Sequence, residues 1–271
     1  MNYLLIGFFS IFSIFLGSFF TVVIYRLPLI LDNQWKKNAR IFLNQENFTL
    51  LGEKFTIFLP FSHCPNCKKY LTILQKIPLL SYFFLSGRCS YCQVKISFRY
   101  PLIELLTLVV SLMVIERFGL SLQAFAGLVL TWGLLILAFI DFEHKLLPDI
   151  IIFPLMWSGL LLNIKQLFVS PESAILGASF AYLFLYLVAH CYQWIVKIEP
   201  MGEGDFKCFA LLGAWLGVKT IPYILFMAAT VGSLVGIVCY IYNQESLRRG
   251  IPFGPFLALS GWVILLSQTY R

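Results

Sequence analysis

Long apolar runs separated by short polar segments make up most of this 271-residue sequence. The first run, residues 3–25, has no charged side chain, and about 20 apolar residues are enough for a helix to cross a bilayer. Seven further runs follow it: 101–118, 119–140, 150–164, 174–196, 206–218, 220–242 and 252–268. Two of them, 150–164 and 206–218, are short. The pattern predicts an all-α polytopic membrane protein with about eight transmembrane helices.

The first run has one alternative interpretation, a cleaved signal peptide. It lacks the basic residues that precede such a peptide and the small-residue site that follows it. Its positive charge comes after the run, starting at Arg26. We therefore expect an uncleaved transmembrane helix with its N-terminus outside the cell.

Charge is concentrated in one polar segment, residues 26–100. It contains 11 of the 20 Lys and Arg residues but three of the 13 acids, which gives it a net charge of +8 and leaves −1 for the rest. When the eight runs are threaded alternately, 16 basic residues fall on one side of the membrane and four on the other, so the richer side is predicted to be cytoplasmic. The predicted domains are a first transmembrane helix (1–25), a cytoplasmic insert (26–100) and a membrane core (101–271).

Overall composition excludes several classes of protein. Only 12% of residues are charged, whereas 59% are hydrophobic, and a soluble domain typically has about 25% charged residues. A disordered chain, a small secreted protein and an ordinary soluble enzyme are therefore excluded. The basic excess is explained by membrane topology and anionic lipid, so we expect the bilayer, and no nucleic acid, as a partner.

Four of the seven cysteines form two C-x-x-C pairs in the insert, Cys64 with Cys67 and Cys89 with Cys92. Two such pairs can complete a tetrahedral shell around Zn²⁺, and a closed four-thiolate shell is structural because no position stays open for water. Disulfides or free thiols are the alternatives, and a cytoplasmic location disfavours disulfides. The prediction is a zinc-ribbon-like insert whose folding depends on the metal.

Acidic residues at the membrane edge are the candidates for chemistry, because acids in a membrane are costly and mark functional sites. Asp141 ends the run 119–140, and Asp149 follows Pro148 at the start of the next run. A carboxylate in the first turn of a helix is favoured by the helix dipole, so Asp149 can be explained as a helix-end acid.

Asp205 lies in the sequence Gly202-Glu-Gly204-Asp205, just before the run 206–218. The glycines allow close approach of the backbone, although a simple helix cap explains the motif as well. Asp205 precedes one run and Asp141 follows another, so both are predicted to lie at the same face of the membrane. Two carboxylates that face each other do not ionise together easily, so one can act as a general base while the other holds a proton. The residues predict an aspartyl hydrolase; a proton-coupled transporter would also use paired acids.

The chain resembles the bacterial type IV prepilin peptidases, a GxGD-type aspartyl protease family. The segments that match are GSFFTVVIYRLP (17–28), CPNC (64–67), IPLLSY (77–82), GRC (87–89), CSYC (89–92), ISFRYPLIE (96–104), DFEHKLLPD (141–149), MGEGDFK (201–207), LGAWLG (212–217) and PFGP (252–255). They occur in the family's order from about residue 7 to residue 261.

The resemblance implies an inner-membrane enzyme with two activities. Such enzymes cleave the basic leader of type IV prepilins or type II secretion pseudopilins, typically between a glycine and a phenylalanine. They then methylate the new N-terminal amine with S-adenosylmethionine. The catalytic aspartates correspond to Asp141 and Asp205, with Gly202, Gly204 and Lys207 in the same motif, and Asp149 corresponds to an acid that is characteristic but not catalytic.

Two features concern the second activity. The family usually has Asn where this chain has Thr21, so a peptidase that has lost methylation is one alternative, beside the transporter and a non-catalytic zinc-bearing scaffold. The chain has no glycine-rich Rossmann fingerprint, and the residues that bind the methyl donor are not identified. By the resemblance the donor site belongs to the N-terminal region and the cytoplasmic insert, where Glu104 is a candidate; a helix-start acid is the other interpretation.

Charge signs also suggest where the basic leader binds. The insert is basic and would not attract it, so we expect the leader to meet the acids Asp149, Glu199 and Glu203.

Overall fold

The structure is a computed structural model, and it describes residues 3–43, 56–59, 62–64, 66–72, 75, 77–197, 201–242 and 251–268. Nine α-helices lie within this part of the chain: α1 (Tyr3–Phe42), α2 (Leu80–Phe84), α3 (Arg99–Phe118), α4 (Leu122–His144), α5 (Asp149–Ile164), α6 (Pro171–Val196), α7 (Glu203–Leu216), α8 (Ile221–Tyr242) and α9 (Gly254–Ser267). All except α2 coincide with one of the eight predicted apolar runs. The predicted fold class, a helical membrane protein, is confirmed.

Four helices of the described residues are long and apolar enough to cross a membrane, judged by length and composition. They are Gly7–Phe42, Leu122–His144, Pro171–Val196 and Val218–Tyr242, while α5 and α9 are shorter apolar helices. The total of eight spans therefore stays a prediction.

Helix α1 extends well beyond the apolar run that predicted it. It continues to Phe42 with Pro28 inside it, so residue 25 is not the end of the helix. An ion pair of 2.6 Å between Lys36 Nζ and Asp32 Oδ2, one turn apart, supports the polar extension. The side chain of Arg26 is buried and donates hydrogen bonds to the carbonyls of Thr56 and Ile57, at 3.2 and 3.0 Å.

The chain forms two compact units, residues 1–116 and 117–271. In the first unit α1 and α3 pack closely at Gly17, where a Cβ atom would lie 2.8 Å from the Cα of Glu104. Small residues permit such close packing between membrane helices. The division into domains at residues 25 and 100 stays a prediction.

Helix α7 is the centre of the second unit, because α5, α6 and α9 all pack against it. Nearly every one of its residues from Asp205 to Leu216 is buried, as expected for a helix that is apolar on all sides. Its closest neighbour is α6, where Gly177 and Gly213 let the two backbones touch.

The C-terminal end of α7 is fixed by polar contacts inside the unit. Asn163, at the end of α5, is fully buried and donates to the carbonyls of Ala214 and Trp215, at 2.9 and 3.2 Å. The indole N–H of Trp215 donates to the carbonyl of Leu155 at 2.8 Å. Since an unpaired buried polar group costs about 1–3 kcal/mol, these contacts hold α7 in one register, and its N-terminal end carries Asp205.

Candidate active site and metal centre

Asp141 lies one turn before the end of α4, with a side chain that is only 5% exposed. The helix ends because Lys145 takes a left-handed conformation with φ of 52°. The backbone N–H of Lys145 donates to the Asp141 carbonyl at 2.8 Å. The chain then runs through Leu146, Leu147 and Pro148 into α5.

The carboxylate of Asp141 receives a hydrogen bond from a residue far along the chain. The backbone N–H of Gly254, at the start of α9, donates to Asp141 Oδ2 at 2.9 Å. The N-terminus of a helix favours an anion because its free N–H groups carry partial positive charge. A Cβ atom on Gly254 would lie 2.6 Å from the same oxygen, a distance that real Cβ atoms essentially never show, so this contact requires glycine.

Asp205 lies in the first turn of α7 and is 9% exposed. Its backbone N–H donates to the carbonyl of Gly202 at 3.1 Å. Within the described part of the chain, its buried carboxyl atom Oδ1 has no hydrogen-bond partner. The two acids therefore differ, since Asp141 accepts a helix-terminal N–H and one oxygen of Asp205 is left unbonded.

Leu147 connects the surroundings of the two acids. A Cβ atom on Gly204, next to Asp205, would lie 2.7 Å from Leu147 Cβ, and one on Gly254 would lie 3.2 Å from Leu147 Cδ2. Both backbones thus press on the same side chain. Asp141 and Asp205 are close enough for their charges to act on each other. Their role as a catalytic pair stays a prediction.

The two glycines of the Gly202-Glu-Gly204-Asp205 motif are not equivalent. A Cβ atom on Gly202 would have open space around it, with only Asp205 Oδ2 at 4.0 Å, whereas one on Gly204 would collide with Leu147. Close backbone approach, expected from sequence at both glycines, is found only at Gly204. Gly202 serves instead as the residue that precedes α7 and accepts the Asp205 N–H.

Asp149 and Lys207 form an ion pair that joins the first turns of α5 and α7. Lys207 Nζ lies 3.0 and 2.9 Å from the two oxygens of Asp149 and 3.9 Å from Glu203. It also lies 5.7 Å from the centre of the Phe153 ring. Asp149 is thus occupied by an internal partner, and Glu203 is the more exposed of the two acids. Glu199, the third acid expected to meet the leader, lies outside the described residues.

The four insert cysteines come together as the spacing predicted. The Sγ atoms of Cys64, Cys67, Cys89 and Cys92 all lie within 4.8 Å of one another, and those of Cys64 and Cys92 are 3.7 Å apart. Four sulfurs about 2.3 Å from a central Zn²⁺ would be about 3.8 Å from each other. The cluster can therefore hold a metal ion of this size.

The two C-x-x-C turns have the same local structure. The N–H of Cys64 donates to the carbonyl of Lys69, and the N–H of Cys89 donates to that of Val94, five residues on in each case. The residue four positions after the first cysteine has positive φ in both turns, 59° at Lys68 and 57° at Gln93. The turns are therefore two copies of one motif that aims its thiols at a shared centre.

Backbone hydrogen bonds lower the pKa of two of these thiols. The N–H of Val94 lowers the pKa of the Cys92 thiol to about 6. A hydrogen bond with the Cys67 backbone lowers the pKa of Cys64. At Cys67 a backbone hydrogen bond with Lys69 acts in the same direction, but burial and the neighbouring cysteine side chains raise the pKa to about 11. Thiolates are the form in which cysteine binds metal.

Glu104 is buried near the start of α3 and is held by groups of the first unit. Its Oε2 accepts a hydrogen bond from the backbone N–H of Leu79 at 2.8 Å, and its carboxyl group also bonds to the Ser18 side chain. It therefore ties together α1, α3 and the segment before α2, a role that sequence did not suggest.

Comparison with known proteins assigns the chain to a family. A family model described as "Bacterial Peptidase A24 N-terminal domain" matches residues 11–118, and one described as "Type IV leader peptidase family" matches residues 128–237. A protein of Stutzerimonas stutzeri named "Prepilin leader peptidase/N-methyltransferase" is 43% identical over 94% of this chain and 88% of its own. This chain belongs to the type IV leader peptidase family.

Other relatives carry the same name. The protein of Aeromonas hydrophila is 41% identical over 94% of this chain and 88% of its own, and that of Neisseria gonorrhoeae is 41% identical over 96% and 89%. No solved structure matches the chain.

The two family models divide the candidate functional residues of this chain between them. The N-terminal match contains the four-cysteine cluster, Thr21 and Glu104, and the second match contains Asp141, Asp149, Asp205 and Lys207. Gly254 lies outside both matches, although its N–H bonds directly to Asp141. The sequence signal that could have revealed its role is a glycine immediately before Pro255, since proline favours the first turn of a helix.

Thr21, the position where the family usually has Asn, is buried in α1 of this leader peptidase. Its hydroxyl donates to the carbonyl of Ser18 in its own helix at 2.7 Å. The donor hydrogen of Thr21 is therefore used within the helix.

Proposed function

We propose that this protein removes the leader from prepilins or pseudopilins with Asp141 and Asp205, and then methylates the new N-terminal residue. The observation that carries the proposal is the meeting of these two buried carboxylates around Leu147 in a chain about 40% identical to prepilin leader peptidase/N-methyltransferases. The relatives' names favour an enzyme over the transporter and the scaffold.

Different surroundings give the two acids different roles. Asp141 receives the Gly254 N–H and lies in the field of Lys145, and both contacts favour its ionised form. Asp205 has a buried oxygen without a hydrogen-bond partner among the described residues, and it has a negative neighbour; both conditions favour a proton on its carboxyl group. We therefore assign the general base to Asp141 and the general acid to Asp205.

The reaction follows from these roles. Asp141 accepts a proton from a water molecule as the water oxygen bonds to the scissile carbonyl carbon. Asp205 donates a hydrogen bond to the scissile carbonyl oxygen and then its proton to the scissile nitrogen, so that the C–N bond breaks with a neutral amine as the leaving group. Substrate closing over the site would exclude bulk water and strengthen these interactions.

The ion pair of Asp149 and Lys207 has a positioning role in this scheme. Lys207 follows Asp205 by two residues on α7, and Asp149 begins α5 two residues after Leu147. The pair joins the two segments that flank the aspartates and holds Asp205 at a fixed distance from Leu147.

The four cysteines are proposed to hold a structural Zn²⁺. Their number and S···S spacing fit a closed tetrahedral shell. Bound there, the ion supplies folding energy and no reaction step.

S-adenosylmethionine is the proposed methyl donor, and it supplies an electrophilic methyl group to the free amine. Glu104 remains a candidate for the methyl-donor site because it lies within the N-terminal match. Its two hydrogen bonds, however, support a structural role. A peptidase without methylation is the second candidate, favoured by Thr21 in place of Asn.

We propose an inner-membrane location with the N-terminus outside and the aspartates facing the cytoplasm. The distribution of basic residues supports this orientation. The basic leader of the substrate would then contact the exposed carboxylate of Glu203.

One assay tests both activities. Purified enzyme in detergent is incubated with a prepilin and methyl-labelled S-adenosylmethionine, and the products are sequenced and counted for label. Cleaved and labelled pilin supports the full proposal. Cleaved but unlabelled pilin would select the peptidase-only alternative, and uncleaved prepilin would contradict the proposal.

A further inference from the structure

The short helix α2 exposes large apolar side chains although it belongs to the polar insert. Phe83 and Phe84 are 74% and 84% exposed, and Leu80 is exposed as well. No residue of α2 is buried. Tyr82 points the other way, with its ring against Gly87 and edge-on to Phe98 at 6.4 Å. Helix α2 thus has one aromatic side chain packed inward, Tyr82, and an apolar face directed outward.

Glu104 fixes where α2 lies along the membrane helices of its unit. Its carboxylate accepts the N–H of Leu79, the residue before α2. Glu104 is five residues into α3, which begins at Arg99, and this corresponds to about 7.5 Å along the helix axis. The start of α2 therefore lies beside the first turns of α3, where the apolar run 101–118 begins.

The backbone at Leu79 is bent to make this contact. Leu79 has φ of 57° and ψ of −54°, and the N–H of Leu80 donates to the carbonyl of Pro78 at 2.5 Å. This is a γ-turn with positive φ, which is strained for a residue with a side chain. The bond to Glu104 stabilises the strained turn and sets the direction of α2.

Two basic residues follow α2 closely in the chain, and the backbone N–H of Arg88 donates to the carbonyl of Leu85, the residue after α2, at 3.0 Å. Arg88 and Lys95 are both exposed and pair with each other in an isolated β-bridge shortly after α2. Residues 77–98 contain these two cations and no acid. Aromatic side chains beside cations are the combination that binds the interface of an anionic bilayer, with apolar groups about 5–10 Å deep and cations at the phosphates.

We propose that α2 is an interfacial anchor that inserts Leu80, Phe83 and Phe84 among anionic lipids, with Arg88 and Lys95 at the headgroup phosphates. The depth set by Glu104 matches the depth at which such anchors lie. The anchor holds the cysteine cluster, whose second turn begins at Cys89, at a fixed height on the membrane surface. It is independent of the proposed reaction.

Site-specific photocross-linking tests the proposal. The full-length protein is made with p-benzoylphenylalanine at Phe84, placed in nanodiscs of phosphatidylglycerol and phosphatidylcholine, irradiated and analysed by mass spectrometry. The matched control carries the same probe at Tyr70, an exposed aromatic residue next to the first cysteine turn. The zinc content of each variant checks that the insert is folded.

We expect lipid adducts at position 84 at least fivefold more abundant than at position 70. Changing Arg88 and Lys95 to Glu should lower the adduct yield with phosphatidylglycerol and leave it unchanged in phosphatidylcholine alone. Equal yields at both positions would overturn the proposal. So would cross-links from position 84 to residues 117–271 or to a second copy, because protein would then cover the face.

Discussion

The backbone N–H of Gly254 donates a 2.9 Å hydrogen bond to Oδ2 of Asp141, across 113 residues of sequence. The bond sets the N-terminus of α9 against a buried carboxylate at the end of α4. In the proposed mechanism it helps Asp141 to ionise in an apolar setting, because the helix terminus supplies part of the positive potential that water would otherwise supply.

Replacement of Gly254 by Ala should therefore damage cleavage. The new Cβ atom would lie 2.6 Å from Asp141 Oδ2 and 3.2 Å from Leu147 Cδ2, so the carboxylate must move and lose its hydrogen bond. We expect kcat for prepilin cleavage to fall roughly 10- to 100-fold, within the range of a lost acid–base contribution. Steady-state cleavage kinetics measure this, and an unchanged kcat would contradict the role of Gly254.

The glycines before Asp205 should respond differently to the same change. Gly204→Ala places a Cβ atom 2.7 Å from Leu147 Cβ, whereas Gly202→Ala places one in open space. We expect cleavage to fall at least 10-fold in the first variant and less than threefold in the second. Gly202→Ala is thus the matched control. Equal losses in the two variants would show that the packing at Leu147 is not what matters.

The ion pair of Asp149 and Lys207 should position α7 through its charge. Pairs this accessible contribute about 1 kcal/mol or less, so Lys207→Met should lower kcat for cleavage by about two- to fivefold with KM nearly unchanged. Exchange of the two residues, Asp149→Lys with Lys207→Asp, should restore most of the rate. If the exchanged pair is as slow as the single variant, a positioning role for the pair is refuted.

Removal of the metal should affect the insert most. Metal analysis is expected to find about one Zn²⁺ per chain, and Cys89→Ser should abolish binding because it removes one of the four ligands. The insert should lose stability as well, since structural zinc contributes about 10–16 kcal/mol. Cys191→Ser, at an exposed cysteine outside the cluster, is the control. We expect methylation of a cleaved pilin to fall more than cleavage does. Full zinc content in the Cys89→Ser variant would exclude the four-thiolate site.

Much of the fold could be predicted from sequence because most of the apolar runs have about the length of the helix that they form. Each of the eight runs became a helix, and the two cysteine pairs met because their turns are local. The polar part of α1 was missed, since charged residues interrupt the apolar pattern there while a salt bridge one turn apart supports the helix.

The candidate acids were also predictable, because Asp141 and Asp205 stand at the ends of uncharged runs. The contacts around them were not. Gly254 bonds to Asp141 and Lys207 bonds to Asp149 across 113 and 58 residues, and no local pattern predicts which helix ends lie together. The importance of Gly204 over Gly202 likewise depends on Leu147, a residue with no chemical signal of its own.

The most direct test of the account is cleavage of a prepilin by the Asp141→Asn and Asp205→Asn variants. Each is assayed in single-turnover conditions beside Asp32→Asn, a change at an exposed aspartate of α1. Methylation of a pilin that is already cleaved checks that each variant is folded. We predict a loss of cleavage of at least 1,000-fold in both variants, with methylation retained and Asp32→Asn fully active. Cleavage by either variant at a rate near that of the unmodified enzyme would contradict the assignment of the catalytic pair.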